Sequence, residues 1–239
     1  MNGPHAPRWL AVAGAQNVEI TSRGRTSLIP IPWDPAYLAA WTNFVKNLGI
    51  HVRENPSLVL VHVTHATLNG FEMPLAFTPD EEKVWKERGF DAEKWLASWE
   101  GVIQSFANAF PRTPLDVEVH PVFRDDSLPR AVAEYGMTLV PGRFGVFGAW
   151  WSDKNTKVYS GVFSILQDAA RRSFASAQLV ASQTPNRFGP VGGIGEGGLA
   201  KAFETGLASG IRYYEVWETD LQNPELEAFF ISMRKKCLE

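Results

Sequence analysis

Apolar and polar positions along this chain follow two rhythms, one of helical period and one of short unbroken runs. Trp33-Asp34-Pro35 opens the first helical stretch, with Asp34 placed to cap it and Pro35 at its first position. Tyr37, Leu38, Trp41, Phe44, Val45 and Leu48 then recur on one face until Gly49, where the helix is expected to end. Residues 57–64, Ser-Leu-Val-Leu-Val-His-Val-Thr, form a β-branched apolar run without strict alternation, which suits a strand in a sheet covered on both faces. The unit then repeats: residues 91–110 predict a helix with Trp95, Trp99, Val102, Ile103 and Phe106 inward, and residues 115–120 predict a strand. Further strands are expected at 144–151, 177–183 and 212–218, and helices at 159–172, 198–209 and 224–236. Five strands alternating with helices at intervals of ~30 residues predict an α/β fold of right-handed βαβ units around a parallel sheet.

Two architectures meet that description. A doubly wound sheet places its ligand at a topological switch point, often on a glycine-rich turn directly after the first strand. Here the glycine-rich stretch, Gly192-Gly193-Ile194-Gly195-Glu196-Gly197-Gly198, follows a loop and matches no phosphate-binding spacing. A (β/α)8 barrel, whole or partial, predicts aromatic and ionisable residues at the C-terminal ends of several strands. Thr64, His65, His120, Trp150, Trp151, Gln183, Glu215, Trp217 and Glu218 stand at such positions.

Composition narrows the picture. With 239 residues, 45% of them hydrophobic, the chain can bury a core as one domain over 1–239. A formal charge of -3 gives no broad positive field for phosphate backbones, so nucleic acid is not an expected partner. The single cysteine, Cys237, excludes an intrachain disulfide and a thiolate metal cluster. No apolar run approaches the ~20 residues that span a bilayer. Met1-Asn2-Gly3-Pro4 does not have the pattern of a secretory leader, and a soluble protein is expected.

Certain stretches resemble a known group. Gly3-Pro4-His5-Ala6-Pro7-Arg8-Trp9-Leu10, then Pro32-Trp33-Asp34-Pro35-Ala36-Tyr37-Leu38 and the run Val59-Leu60-Val61-His62-Val63, resemble the third strand end, third helix and fourth strand of the large (β/α)8 clan of retaining glycoside hydrolases. That clan holds xylanases, cellulases and β-galactosidases. Ile211-Arg212-Tyr213-Tyr214-Glu215-Val216-Trp217-Glu218-Thr219-Asp220 resembles the clan's eighth strand, whose tryptophan floors the sugar subsite. The resemblance implies a barrel lacking its first two to three βα units, with Met1 at the end of strand three. Five or so strands cannot close an eight-stranded barrel, so a homo-oligomer joined through exposed sheet edges is expected. A complete, smaller, non-barrel α/β fold is the alternative.

The resemblance also implies a carbohydrate substrate, with a two-carboxylate mechanism acting on a β-linked oligo- or polysaccharide. Such cleavage needs one protonated acid and one carboxylate, about 5 Å apart for retention and about 6.5 to 9.5 Å for inversion. The clan's acid ends strand four and its nucleophile ends strand seven, where this sequence has Thr64-His65 and Gln183, neither of which can serve. Glu72, in Phe71-Glu72-Met73-Pro74-Leu75, has apolar neighbours that would raise its pKa, as a general acid requires. Glu215 or Glu218 is expected to supply the second carboxylate, and Glu196 is a third candidate. Each carboxylate has a structural alternative: a solvated loop carboxylate or a buried salt-bridge partner for Glu72, and a structural carboxylate bound to Arg8, Arg143 or Arg212 for Glu215. Trp9, Trp150, Trp151 and Trp217 are candidate stacking platforms for sugar rings, with His65, His120 and Gln183 as polar contacts. A metal-assisted hydrolase using His65 and His120 is a further alternative, although the histidine spacing does not demand a metal and no cofactor is expected. A Ser-His-Asp hydrolase is disfavoured by the absence of a Gly-x-Ser-x-Gly elbow. A chain with an aromatic cleft and no turnover, a carbohydrate-binding fragment, would keep the binding and lack the chemistry.

Overall fold

The computed structural model describes residues 5–182 and 198–239. They fall into two compact units, Met1–Phe144 and Gly145–Glu239.

The first unit opens with a short helix, α1 (Trp9–Val12), and an antiparallel hairpin of β1 (Asn17–Ser22) and β2 (Arg25–Pro30). Val18, Ile20, Ile29 and Pro30 are its buried positions. Arg23 and Gly24 turn the hairpin at positive φ, 50° and 75°, as a type I′ turn requires. Residues 16–27 are therefore mostly strand. Their period-2 pattern is short, and Arg-Gly is not among the usual turn dipeptides.

Helix α2 (Pro35–Val52) starts as the sequence predicts, with the Asp34 carboxylate accepting a hydrogen bond from the Tyr37 amide at 2.9 Å. It runs on past Gly49. That glycine is a contact residue, because a Cβ there would lie 2.6 Å from the Ala109 carbonyl oxygen. Tyr37, Trp41, Val45 and Gly49, four residues apart, make the ridge that packs on α4 (Ala92–Ala109). Phe44 and Leu48 fall off that ridge, and Phe44 is exposed. In α4 the inward residues are those expected, Trp95, Trp99, Val102, Ile103 and Phe106, behind an Asp91 cap.

The remaining elements of this unit are β3 (Val61–Val63), α3 (Pro79–Glu87), β4 (Leu115–Glu118) and α5 (Ser127–Leu139). Helix α3 carries a full capping box: Thr78 accepts from the Glu81 amide, and Glu81 reaches back to the Thr78 amide. β5 (Phe144–Trp151) begins at the end of this unit. The second unit continues with α6 (Asn155–Val158), α7 (Ser160–Arg172), β6 (Ala175–Leu179), α8 (Leu199–Ala208), β7 (Tyr213–Glu215), α9 (Glu218–Leu221), a 3-10 turn and α10 (Glu227–Leu238).

The strands from β3 onward form a five-stranded parallel sheet in the order β3-β4-β5-β6-β7. Sequence neighbours are sheet neighbours throughout, so the order never reverses as it does in a doubly wound sheet. Every residue of β4 and β5 is buried, which means both faces of the central strands are covered. The α/β class and parallel sheet expected from the sequence are thus present. Several strands are shorter than the apolar runs that announce them: β3 keeps three residues of 57–64, and β7 keeps three of 212–218. A strand lasts only as long as its neighbour offers ladder partners, and Val59 lies outside the ladder, exposed. Among the described residues, no helix is long and apolar enough to cross a membrane.

Gly49→Ala is expected to lower stability by ~1–3 kcal/mol through the clash with the Ala109 backbone. Gly101→Ala, on the open face of α4 with nothing within 4 Å of the added methyl, should be neutral or stabilising. Urea midpoints of the two variants against the parent check the contrast.

Candidate functional site

On β4 the apolar residues Leu115 and Val117 alternate with Asp116 and Glu118, and His120 follows two residues on. Period-2 alternation puts Asp116 and Glu118 on one face. Both are buried, Glu118 to 2% exposure, so each carboxylate must have hydrogen-bonding partners. Asp116 faces His62 across the β3–β4 ladder, and its Oδ1 lies 2.5 Å from His62 Nδ1. Glu118 uses both oxygens: Oε1 lies 2.5 Å from His120 Nδ1, and Oε2 accepts from the Met73 amide at 2.7 Å.

That last bond ties β4 to the loop after β3, which carries Glu72. Asn69 organises the loop: its Oδ1 accepts from the amides of Phe71 (3.0 Å) and Glu72 (2.8 Å), while its Nδ2 donates to Glu72 Oε2 at 2.9 Å. Thr67 Oγ1 accepts from the Gly70 amide, Trp85 Nε1 of α3 donates to the Leu75 carbonyl, and Glu81 accepts from the Phe77 amide. The segment leaving β4 is fastened to the same helix by Arg124, which pairs with Glu82 at 2.7 Å. Glu72 is thus a half-buried carboxyl on a pinned loop, beside a buried carboxylate and an imidazole.

The charges in this cluster act on one another. Burial raises the pKa of Glu72, the negative charge of Glu118 raises it further, and His120, Asn69 and Arg23 oppose the rise. For His120, burial disfavours the imidazolium, but the charge and hydrogen bond of Glu118, joined by Glu72, outweigh it and hold the pKa above the ordinary histidine value. Glu72 is the second carboxyl of the group, and burial together with the Glu118 charge disfavours its ionised form.

The other expected site residues lie elsewhere. His65 is fully buried between α2 and α4. Its Nε2 lies 3.0 Å from Ser98 Oγ and its Nδ1 3.3 Å from the Tyr37 hydroxyl. Ser98 gives its own proton to the Trp95 carbonyl, so His65 Nε2 is the donor and Nδ1 the acceptor, and the ring is neutral. Burial depresses its pKa to about 3. This is a core histidine, committed on both nitrogens. Trp150 and Trp151 are core residues as well, Trp151 donating to the Ala202 carbonyl at 2.9 Å. Neither presents a stacking face to solvent. Trp9 on α1 is exposed and borders a small apolar cavity lined by Leu10, Tyr37, Trp41 and Phe44.

In the second unit, Glu215 accepts from Gln178 Nε2 at 2.8 Å, across the β6–β7 ladder. Tyr214, one residue before it, points the other way, against Phe203 of α8. Of the arginines suggested for Glu215, Arg143 donates to the carbonyls of Phe110 and Thr113, and Arg212 to those of Leu207 and Ile211. Trp217 and Glu218 lie beyond the strand, at the start of α9. Trp217 is 46% exposed with Nε1 fixed to the Leu179 carbonyl at 2.8 Å, and Glu218 is exposed and accepts from Gln222. Gln183, Glu196 and the glycine-rich residues 192–197 are outside the described residues. Among the described residues, no group of three His, Cys, Asp or Glu side chains is placed to hold a metal ion.

The cluster therefore unites Glu72 and His120 from the sequence-derived candidates and adds Glu118, which the sequence reading passed over. Its signal was present in Leu-Asp-Val-Glu-Val-His, ionisable side chains at every second position of an otherwise buried strand. No protein-family profile matches the chain, and no curated protein matches it.

Two titrations check the electrostatics. His120 should titrate above the ordinary histidine pKa by NMR, and in Glu118→Gln it should fall below that value, because burial then acts without its counter-charge. The stability it confers is full below the ordinary histidine pKa and is lost as pH rises through the elevated one. His65 works in the opposite sense: its stabilising effect is present above pH 6.5 and is lost as pH falls toward about 3. The urea midpoint should therefore fall as pH is lowered from 6.5 toward 3, and His65→Gln should flatten that fall.

Proposed function

We propose that the chain is a glycoside hydrolase acting on a β-linked oligo- or polysaccharide, with Glu72 as the proton donor and Glu118 as the ionised carboxylate. The observation that carries this reading is the pairing of a half-buried carboxyl of raised pKa with a buried carboxylate on the next strand. Glycosidases separate acid from base by placing two carboxyl groups in different environments. The Glu72 proton passes to the glycosidic oxygen as the C–O bond breaks and the alcohol leaves. Glu118 offsets the positive charge that develops on the sugar ring. Water then adds to the anomeric carbon, and the proton it releases restores Glu72. Glu118 takes the role first given to Glu215 or Glu218 because its charge is the carboxylate charge felt at Glu72.

In the same reading the strands β3 to β7 are the last five of a (β/α)8 barrel, whose consecutive order they share. The outer strands, three residues each, then remain as edges, and a homo-oligomer that covers them is proposed. Sedimentation at micromolar concentration should give a species larger than 26.6 kDa. A clean monomer would count against the partial barrel.

A second reading, a carbohydrate-binding fragment without turnover, is favoured by Trp217, an exposed indole whose Nε1 is anchored and whose ring is thereby held. Hydrolysis of chromogenic β-glycosides and soluble polysaccharides by the parent and by Glu72→Gln separates the two. A glycosidase should lose ~100- to 10,000-fold in kcat in the variant while binding persists. Its activity should also decline as pH rises through the elevated Glu72 pKa. Turnover that is unchanged in Glu72→Gln would remove Glu72 as the acid, and binding without turnover in the parent would leave the second reading.

A further inference from the structure

The hairpin of β1 and β2 brings a cation to the loop of Glu72. Ser22 and Arg25 pair across the strands, so Arg23 and Gly24 alone make the turn, both at positive φ. A type I′ turn favours Asn or Gly at its first position, and an arginine there holds a backbone conformation that its Cβ disfavours. The Arg23 guanidinium carbon sits 5.1 Å from the centroid of the Phe77 ring, in cation–π geometry. Phe77 belongs to the segment that carries Glu72, and Arg23 is close enough for its charge to act on that carboxyl. Among the described residues, no carboxylate is within ion-pair distance of the guanidinium. Phe77 and Arg23 are both exposed. The result is a cation held over an aromatic face beside the proposed acid, with its hydrogen-bonding fork open to solvent.

We propose that Arg23 binds the carboxylate of an acidic sugar, making a uronic-acid-containing saccharide the substrate class of this site. This rests on the glycosidase reading for turnover, but the recognition itself is a binding property. A planar guanidinium matches a carboxylate with two parallel hydrogen bonds, which a neutral hydroxymethyl group at the same ring position cannot accept as an anion. A strained turn residue whose charge has no carboxylate partner thus stands beside a candidate acid, at a position where asparagine would form the turn more readily.

The test uses calorimetric binding of methyl β-glucuronide and methyl β-galacturonide, each beside its neutral counterpart, methyl β-glucoside or methyl β-galactoside. The parent and Arg23→Asn are compared. The substitution creates the preferred Asn-Gly turn, so the variant should unfold at the same or a higher temperature and loss of binding cannot be laid to misfolding. At least one uronide is expected to bind the parent about tenfold or more tightly than its neutral partner, with the preference abolished in Arg23→Asn and weakened by salt. Equal binding of acid and neutral sugars, absence of uronide binding, or a preference that survives in Arg23→Asn would overturn the proposal. Uronide preference without hydrolysis by the parent would leave the role of Arg23 standing and remove the glycosidase reading instead.

Discussion

Glu118 is a carboxylate closed off from water, and its two oxygens do different work. One holds the His120 imidazole, and the other holds the Met73 amide, the backbone group next to Glu72. Charge-assisted hydrogen bonds of this kind are about twice as strong as neutral ones, and a buried charge persists only with such partners. Loss of the carboxylate would leave the Met73 amide without its acceptor and the imidazole without its counter-charge. The placement of the Glu72 loop, the charge of His120 and the proton affinity of Glu72 therefore depend on one side chain of β4.

Around this point the first unit separates polar from apolar work by strand face. On β3, His62 turns toward Asp116, whereas His65, three residues on, is sealed against α2 and α4. One histidine is partnered by a buried carboxylate; the other is neutral and serves the core. The ridge of α2 on α4, tight enough to require a glycine at position 49, backs β3 with a layer of close-packed side chains. Helix α3 then clamps both the loop after β3, through Trp85 and Glu81, and the segment after β4, through Glu82. The loops owe their order to these side-chain bonds to a helix.

Tryptophan illustrates why composition misleads about function. Nine indoles in 239 residues suggest an aromatic cleft, yet Trp41, Trp85, Trp95, Trp99, Trp150 and Trp151 are buried. They fill the space between helices and sheet, where a large apolar side chain is stabilising whatever the protein does. Trp9 and Trp217 are the indoles left exposed enough to meet a sugar ring.

The class of fold was legible in the chain because helical and strand periods are local properties: the Asp34 cap, the inward face of α4 and the run 144–151 could all be read from it. The sequence also singled out Glu72, whose apolar neighbours were visible in the chain. Tertiary structure alone decided that Gly49 is a contact and not a terminator, that the strands end where their partners end, and that His65 belongs to the core. It alone brought Glu118, His120 and Arg23 to Glu72. The physical reason is that a pKa or a catalytic role depends on charge and solvent within a few ångströms, and residues 23, 72 and 118 become neighbours only when the chain closes on itself.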